Sequence, residues 1–291
     1  MIGIIIVIYR PNGRIVNSIQ NIICDISKER QLSLFLVDNT PRQYIRYNFI
    51  NGRNTIYISN GENKGIALAQ NIGVAKAKEN KCSYLVFFDQ DSSFDIGYIY
   101  KIYQEYKYIK GNGYMVGALG PTIIDLNDND RKQYVGNRDK LYKDGNDPGY
   151  KLVDTIISSG SIIEMATFEN VGLMDETLFI DLVDSEWCWR ARYRGYCILI
   201  TRNVELYHHI GTETRRFLFG AIIISKPFRY YYQYRNVVLL LNRKYVPLGW
   251  KLRIIVKKLY EMIYILFSLK EKRLIYKNIY NGIKDGIRLL V

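Results

Sequence analysis

Residues 84–93 have the sequence YLVFFDQDSS, an apolar run that ends in two aspartates. The apolar part, Tyr84–Phe88, is continuous rather than alternating, and Ile2–Ile8 near the start of the chain has the same character. Continuous apolar strands are typical of a sheet that is covered by helices on both faces. The pattern therefore predicts a doubly wound α/β fold with these two segments in its centre.

The first 125 residues alternate short β-branched runs with segments of helical periodicity, as expected for parallel strands joined by crossover helices. Helices are predicted over Asn12–Lys28 and Lys64–Lys78. The predicted strands are Ile2–Tyr9, Leu32–Asp38, Thr55–Ser59, Tyr84–Asp89 and Met115–Pro121.

The second half of the chain is less regular. Residues 126–150 are rich in Asn, Asp and Gly and predict a surface loop or an irregular hairpin. A β-like run over Val153–Ile163, a helix over Ala166–Val171 and a strand at Cys197–Thr201 are expected next. From about Phe217 the composition changes to Tyr, Arg, Lys, Ile and Leu with helical periodicity. We therefore predict one domain over residues 1–216, divided into halves 1–125 and 126–216, and a helical extension over 217–291.

Composition and charge restrict the class of protein. The chain has 291 residues, of which 48% are hydrophobic, so disordered and fibrous classes are excluded. Its formal net charge is +13. Residues 226–291 hold 15 Lys and Arg but only three Asp and Glu, so almost all of the excess belongs to the C-terminal region. An anionic partner is expected there.

Several features predict a cytoplasmic protein. The apolar start MIGIIIVI lacks a basic segment before it and a cleavage site after it, so a secretory signal is not expected. Leu259–Leu269 is interrupted by Glu261 and falls short of the roughly 20 residues that a spanning helix needs. A reduced compartment also suits the cysteines, which form no CxxC pair: Cys24, Cys82, Cys188 and Cys197.

Three of the predicted strands end in polar side chains, namely Tyr9, Asp38 and Asp89. In open α/β sheets, ligands bind at the carboxyl ends of the strands. Asp89 and Asp91 flank Gln90, and their hard oxygen ligands suit Mg²⁺ or Mn²⁺ bound to a diphosphate. The alternative is an acidic turn that binds nothing.

A second carboxylate cluster lies in FIDLVDSEW, residues 179–187. Asp181, Asp184 and Glu186 are each candidates for a general base that removes the proton of a hydroxyl group. Spacing alone does not separate Asp181 from Asp184. The alternative is an acidic first turn of a helix, paired with the arginines of the following WRARYR.

Five further segments combine small, polar and aromatic residues. They are, in chain order, VIYRPN (7–12), VDNT (37–40), NKGIALAQNIG (63–73), SSGS (158–161) and YHHIG (207–211). With the two acidic segments, they resemble the motifs of family 2 glycosyltransferases of the GT-A fold. FFDQDS resembles in particular the bacterial rhamnosyltransferases that use dTDP-L-rhamnose. The chain departs from the family pattern at Ile8 and Arg10, where Thr and Asn are usual. The resemblance implies a Rossmann-like, mostly parallel sheet with flanking helices, to which the basic, aromatic helical extension is added.

The resemblance implies roles for the acidic residues. Asp184 occupies the position of the general base. Glu186 and Trp187 would face the acceptor, although a packing role for Trp187 is a close alternative. A divalent ion, Mg²⁺ or Mn²⁺, would be held by Asp91, Asp89 and His208.

The resemblance also implies a set of residues that bind the nucleotide and the donor sugar. Gly65 allows the backbone to approach the nucleotide, and small residues after it allow the helix to pack closely. The complete set is Tyr9, Asp38, Asn63, Gly65, Asn71, Asp89, Gln90, Ser159 and Gly160.

The function that the resemblance implies is an inverting transfer of L-rhamnose from dTDP-β-L-rhamnose. The acceptor would be a lipid-linked or growing cell-surface polysaccharide. Another nucleotide sugar, such as a UDP-hexose or a furanosyl donor, would fit the same motifs. The alternative from a different class is a noncatalytic, membrane-associated docking module.

The basic C-terminal region has three candidate partners. KLRIIVKKLYEMIYILFSLK, residues 251–270, has a wide apolar face and basic flanks, the pattern of a helix in a membrane interface. This interpretation places the protein peripherally on the inner face of the cell membrane. A helical subdomain that packs on the catalytic unit or on a second copy in a homodimer is the next interpretation. Nucleic acid is not expected, because no recognised reader motif accompanies the charge.

Overall fold

The computed structural model describes residues 1–49, 52–125, 132–133, 149–208, 213–217, 220–268 and 271–290. Its contacts group the chain into two units. Unit 1 comprises Met1–Thr177 and Val183–His209, and unit 2 comprises Leu178–Leu182 and Ile210–Val291. The predicted loop at residues 126–150 lies mostly outside the described residues.

Unit 1 is built on one mixed sheet. Its parallel part contains β1 (Ile2–Ile8), β2 (Leu32–Asp38), β3 (Thr55–Ser59) and β4 (Tyr84–Asp89). The other strands are β5 (Val116–Asp125), β6 (Lys132–Gln133), β7 (Tyr150–Leu152), β8 (Ile162–Glu164) and β9 (Cys197–His208). Within the described residues, the order is β3-β2-β1-β4-β8-β5-β9-β7, with β6 paired to β5. The predicted α/β class is confirmed.

The register of the parallel strands aligns their carboxyl ends. Ile8 at the end of β1 pairs with Asp38, and Val7 pairs with Asp89. Both apolar runs are buried almost throughout, as the continuous pattern predicts. The residues that end β1, β2 and β4 therefore lie along one edge of the sheet.

Strand β8 runs antiparallel to its neighbours β4 and β5 and brings a loop to this edge. The Gly160 amide donates to the Phe87 carbonyl at 2.7 Å, and the Phe87 amide donates to the Ser161 carbonyl at 3.1 Å. The predicted β-like run over Val153–Ile163 becomes a strand only at Ile162, because residues 158–161 turn. Gly160 has φ +78°, and a Cβ there would lie 2.5 Å from the Tyr98 hydroxyl oxygen.

The described helices of unit 1 are α1 (Gly13–Ser27), α2 (Ile66–Glu79), α3 (Ile96–Gly111), α4 (Met165–Val171) and α5 (Val183–Tyr193). The first two correspond to the predicted helices. No element was predicted for α3, whose many Tyr and Ile residues favour strands. Its buried residues Ile99, Ile102, Tyr106 and Ile109 nevertheless recur on one helical face.

Unit 2 contains, among its described residues, a hairpin and three helices. These are β10 (Glu213–Phe217), β11 (Gly220–Ile224), α6 (Pro227–Leu241), α7 (Leu248–Ser268) and α8 (Lys272–Arg288). A core cluster is formed by Tyr230, Tyr234, Ile265, Ile275 and Ile279. Helices α6 and α8 pack closely, because a Cβ at Gly282 would collide with the Tyr231 carbonyl. The helical extension is confirmed, whereas the hairpin was not predicted.

The segment Leu178–Leu182 is held within unit 2. The Asn236 side-chain amide donates to the carbonyls of Leu178, Ile180 and Asp181 at 2.8–2.9 Å. The Asp181 carboxylate pairs with Arg229. Asp181, one of the candidate bases, is therefore engaged in an ion pair within unit 2.

None of the helices within the described residues is long and apolar enough to cross a membrane.

Helix α2 lies close against β1 because of Gly73, and this contact can be tested. A Cβ at Gly73 would lie 2.6 Å from a methyl carbon of buried Ile5, whereas a Cβ at Gly111 in α3 meets nothing within 4 Å. We expect Gly73→Ala to lower the free energy of unfolding by about 1–3 kcal/mol through overpacking. Gly111→Ala is the matched control and should be neutral or stabilising. Equal chemical-denaturation midpoints for the two variants would contradict the close contact.

Candidate active site

The carboxyl ends of β1 and β4 are joined by a reciprocal amide clamp. The Tyr9 backbone amide donates to Gln90 Oε1 at 2.9 Å, and Gln90 Nε2 donates to the Tyr9 carbonyl at 3.2 Å. The Tyr9 ring stays exposed. These two hydrogen bonds fix the backbone just before Asp91. They also occupy the polar groups of the Gln90 side chain with the Tyr9 backbone.

Asp38 ends β2 and is fully buried. Its Oδ1 accepts from the Thr40 amide at 2.8 Å, an Asx turn, and its Oδ2 accepts from the Tyr47 and Tyr57 hydroxyls at 2.6 and 2.7 Å. Burial and these contacts raise the pKa of both tyrosines. Both carboxylate oxygens of Asp38 are therefore engaged in hydrogen bonds within the protein.

A backbone turn precedes α2 at the same edge of the sheet. Gly65 has φ +82°, a conformation that L side chains rarely adopt. Its amide donates to Asn63 Oδ1 at 3.0 Å, and its carbonyl accepts from Asn39 Nδ2 at 2.9 Å. The Asn63 side chain is exposed. Asn63 is thus exposed at this turn, whereas Gly65 itself is buried.

Asp89 and Asp91 follow β4 in a turn supported by Ser159. Ser159 Oγ lies 2.7 Å from Ser92 Oγ and accepts from the Asp89 amide at 3.4 Å. Burial, and secondarily the charge of exposed Asp91, raises the pKa of Asp89 to about 6. Two like charges held this near each other favour either a proton or a cation.

Asp184 lies in the first turn of α5 and interacts electrostatically with Asp89. Burial and the charge of Asp89 raise the pKa of Asp184 to about 6, against the effect of hydrogen bonds from the Ser158 backbone and side chain. A carboxyl group with this pKa is ionised at neutral pH and accepts a proton readily. The structure therefore brings the two predicted acidic segments, separated by about 90 residues, into one site.

Two residues that the sequence did not single out support Asp184. Ser158 donates to Asp184 and accepts from Gln70 Nε2 at 3.0 Å. Gln70 is buried, and its Oε1 has no hydrogen-bond partner among the described residues. The signal was present in NKGIALAQNIG and SSGS, but a contact between positions 88 residues apart is invisible to motif spacing.

Three predicted ligand-binding residues have structural roles instead. Glu186 is buried and accepts from Arg190 Nε at 2.7 Å and from Arg190 Nη2 at 2.9 Å, so it is not open to an acceptor. Trp187 is 1% exposed and donates to the Gly172 carbonyl at 2.8 Å, which gives it the alternative packing role. Asn71 is also buried and bonds the backbone of Met174 at 2.9 Å in both directions, rather than facing the sheet edge.

The residues present fit a divalent cation, although they provide a small set of ligands. Asp89 and Asp91 supply hard carboxylate oxygens, and a bound cation would offset the charge of Asp91, which after burial is the second cause that raises the pKa of Asp89. In the part of the chain that the structure describes, no group of three or more His, Cys, Asp and Glu residues is arranged for metal binding. The His208 side chain lies outside the described residues, but Tyr207 before it bridges to Ser93 in the turn after Asp91.

A parallel sheet edge that carries a partly buried acid pair, next to a glycine turn at the start of a helix, is the arrangement expected of an enzyme that handles a nucleotide-linked group. The sequence pattern of glycosyl transferase family 2 matches residues 4–172, and the chain belongs to this family. It is therefore a glycosyltransferase.

Individual relatives extend the match to the whole chain. The chain is 32% identical over 294 residues to a Shigella flexneri protein named dTDP-rhamnosyl transferase RfbF, covering 98% of this chain and 94% of that protein. Solved structures share the fold. S. aureus TarS 1-349 aligns with TM-score 0.56 and 14% identity over 98% of this chain and 80% of that one. GalNAc-T7 with UDP, GalNAc and Mn²⁺ aligns with TM-score 0.59 and 15% identity over 99% of this chain and 56% of that one.

The raised pKa of Asp89 predicts that this residue destabilises the metal-free protein at neutral pH. The folded state binds the proton of Asp89 more tightly than the unfolded state, so stability falls as the pH rises from about 4 to about 6. In chelator at pH 7.5, Asp89→Asn should raise the free energy of unfolding by about 1–3 kcal/mol. Most of the gain should disappear at pH 4.

Asp25, an exposed aspartate on α1, provides the matched control. Asp25→Asn should show no comparable pH-dependent gain. Thermal unfolding of the three proteins at both pH values measures the difference, and an Asp89→Asn variant less stable than the parent at pH 7.5 would contradict the electrostatic description.

Proposed function

We propose that the chain transfers L-rhamnose from dTDP-β-L-rhamnose to a saccharide acceptor with inversion at the anomeric carbon. One observation carries the proposal: Asp184 interacts electrostatically with Asp89, which lies at the aligned strand ends. Membership of glycosyl transferase family 2 sets the reaction class. The likeness to a dTDP-rhamnosyl transferase over 98% of this chain supports rhamnose as the sugar.

Asp184 acts as the general base in this proposal. Above pH 6 its carboxylate takes the proton of the acceptor hydroxyl while that oxygen forms a bond to the anomeric carbon. The bond from the anomeric carbon to the nucleoside diphosphate breaks on the opposite face, which produces inversion. Ser158, held by Gln70, orients the carboxylate for this step.

Asp89 and Asp91, with His208 as a third ligand, would hold Mg²⁺ or Mn²⁺. The ion supplies positive charge that stabilises the departing diphosphate. Two carboxylates would be a small set of protein ligands for such an ion. The presence of Mn²⁺ in the GalNAc-T7 structure supports a divalent ion in this fold.

The nucleotide and the donor sugar are assigned to the same edge. The exposed side chains of Tyr9 and Asn63 provide a surface for the nucleoside, and the Gly65 turn adjoins Asn63 in the chain. Gln90 and Asp38 shape this surface through their backbone contacts. Ser159 and Gly160 form the floor under the sugar, because they pack directly against the end of β4.

Two other functions are set against this proposal. A UDP-hexose or furanosyl donor would use the same carboxylates, since the groups that bind the diphosphate do not recognise the sugar. A noncatalytic docking module would have no use for two acids whose pKa values are raised by burial and by neighbouring charge. The acid pair therefore favours catalysis.

The acceptor is proposed to be a lipid-linked or growing cell-surface polysaccharide. Unit 2 carries most of the net positive charge of the chain and a row of exposed apolar side chains, which suit an anionic membrane surface. The enzyme would then work on the inner face of the cell membrane. A homodimer through the same unit is the competing arrangement.

Donor hydrolysis with purified nucleotide sugars tests the proposal. With Mg²⁺ or Mn²⁺, dTDP-L-rhamnose should be consumed faster than UDP-glucose or UDP-galactose, and chelator should abolish the reaction. Asp184→Asn should reduce turnover by roughly 10²–10⁴-fold while thermal-shift binding of dTDP persists.

Asp25→Asn serves as the control and should retain full turnover. If UDP-hexoses are consumed instead, rhamnose is the wrong sugar. If no nucleotide sugar is bound or consumed, the catalytic proposal fails.

A further inference from the structure

Helix α7 of unit 2 exposes a continuous row of large apolar side chains. The row, called here the α7 apolar face, consists of Leu248, Leu252, Ile255, Val256, Leu259, Ile263, Leu266 and Phe267, each between 42% and 76% exposed. At about 100° per residue, these positions fall within an arc of about 120° on the helix. An uninterrupted apolar stripe of this kind on a protein surface marks an interaction site.

The opposite side of α7 is already packed within unit 2. Tyr264 and Ile265 are buried, and Ile265 belongs to the core cluster with residues of α6 and α8. The Tyr234 hydroxyl donates to the Lys258 carbonyl at 3.0 Å, and the Tyr276 hydroxyl donates to the Met262 carbonyl at 2.6 Å. The helix is thus anchored by one side, and the α7 apolar face is not needed for its folding.

Basic side chains flank the α7 apolar face on both sides. Arg253 and Lys257 follow one border and are exposed, and Lys251 lies beyond the other. The single acidic residue of α7, Glu261, is buried and pairs with Lys258 at 2.6 Å. No negative charge therefore opposes an anionic surface along this helix.

We propose that the α7 apolar face lies in the interface of a bilayer containing anionic phospholipids, with Arg253 and Lys257 at the headgroups. This deepens the membrane association proposed above by naming the surface and the lipid class. Apolar stripes with basic borders bind such interfaces by burying their side chains at the boundary of headgroups and acyl chains.

A bilayer fits the α7 apolar face better than a second copy of the chain does. A symmetric dimer through this face would bring Arg253 and Lys257 of both copies together, in a region with 15 basic and three acidic residues. An anionic bilayer offers the complementary charge instead. At 21 residues, α7 is about 31 Å long, so it can lie flat along the surface over its whole length.

Vesicle flotation with the full chain tests this proposal without reference to activity. Vesicles of phosphatidylcholine with roughly 30% phosphatidylglycerol should carry the protein, and vesicles of phosphatidylcholine alone should carry much less. Leu252→Glu combined with Leu259→Glu should reduce binding at least about tenfold, because it places charges in the apolar stripe. Arg253→Gln combined with Lys257→Gln should weaken binding and its salt dependence.

Leu274→Glu on α8 is the matched control, since Leu274 is an exposed apolar residue outside the α7 apolar face. It should bind vesicles as the parent does, and circular dichroism should confirm that all variants are folded. Equal flotation of the parent and the Leu252/Leu259 variant would overturn the proposal. If the parent binds no vesicles and is a dimer, and the Leu252/Leu259 variant is a monomer, the face instead contacts a second copy of the chain. Hydrolysis of a soluble nucleotide sugar needs no membrane, so failure here is distinct from failure of the proposed reaction.

Discussion

Two carboxylates held near each other at one edge of a parallel sheet are the constraint on which the site depends. Asp89 comes from the end of β4 and Asp184 from the first turn of α5, and each has a pKa raised to about 6 by burial and by a neighbouring negative charge. Such an arrangement is unfavourable in the empty protein. In the proposed reaction, a divalent cation would neutralise the charge of Asp89, and Asp184 would accept the proton of the acceptor hydroxyl.

The surrounding structure holds this pair in place. Parallel pairing of β1 with β2 and β4 aligns the strand ends, and the Gln90 amide then joins β4 to Tyr9. The loop after Met174 is fixed by Asn71 of α2, and α5 begins shortly after it. These hydrogen bonds, exposed at Gln90 and buried at Asn71, position the segments that carry the acids, while burial of the central strands supplies the stability.

The elements that could be predicted from the sequence are those with a periodic or local pattern of residues. Continuous apolar runs identified β1 and β4, and helical spacing identified α1 and α2. The register places the strand-ending Asp38 and Asp89 along one edge of the sheet, as the parallel order predicts. Helix α3 was missed because its Tyr and Ile residues favour strands. Glu186, Trp187 and Asn71 were assigned to ligands because motif position says nothing about the long-range partners that bury them, such as Arg190, Gly172 and Met174.

The central claim is that Asp89 and Asp91 hold the metal and the diphosphate while Asp184 faces the sugar from the other side. A crystal structure of the chain with dTDP and Mn²⁺, with the metal located by anomalous scattering, tests it most directly. The account predicts Mn²⁺ within coordination distance of Asp91 and Asp89, bridged to the diphosphate, with the Asp184 carboxylate free of the metal. Nucleotide and Mn²⁺ bound away from the ends of β1, β2 and β4, or Mn²⁺ coordinated by Asp184, would contradict it.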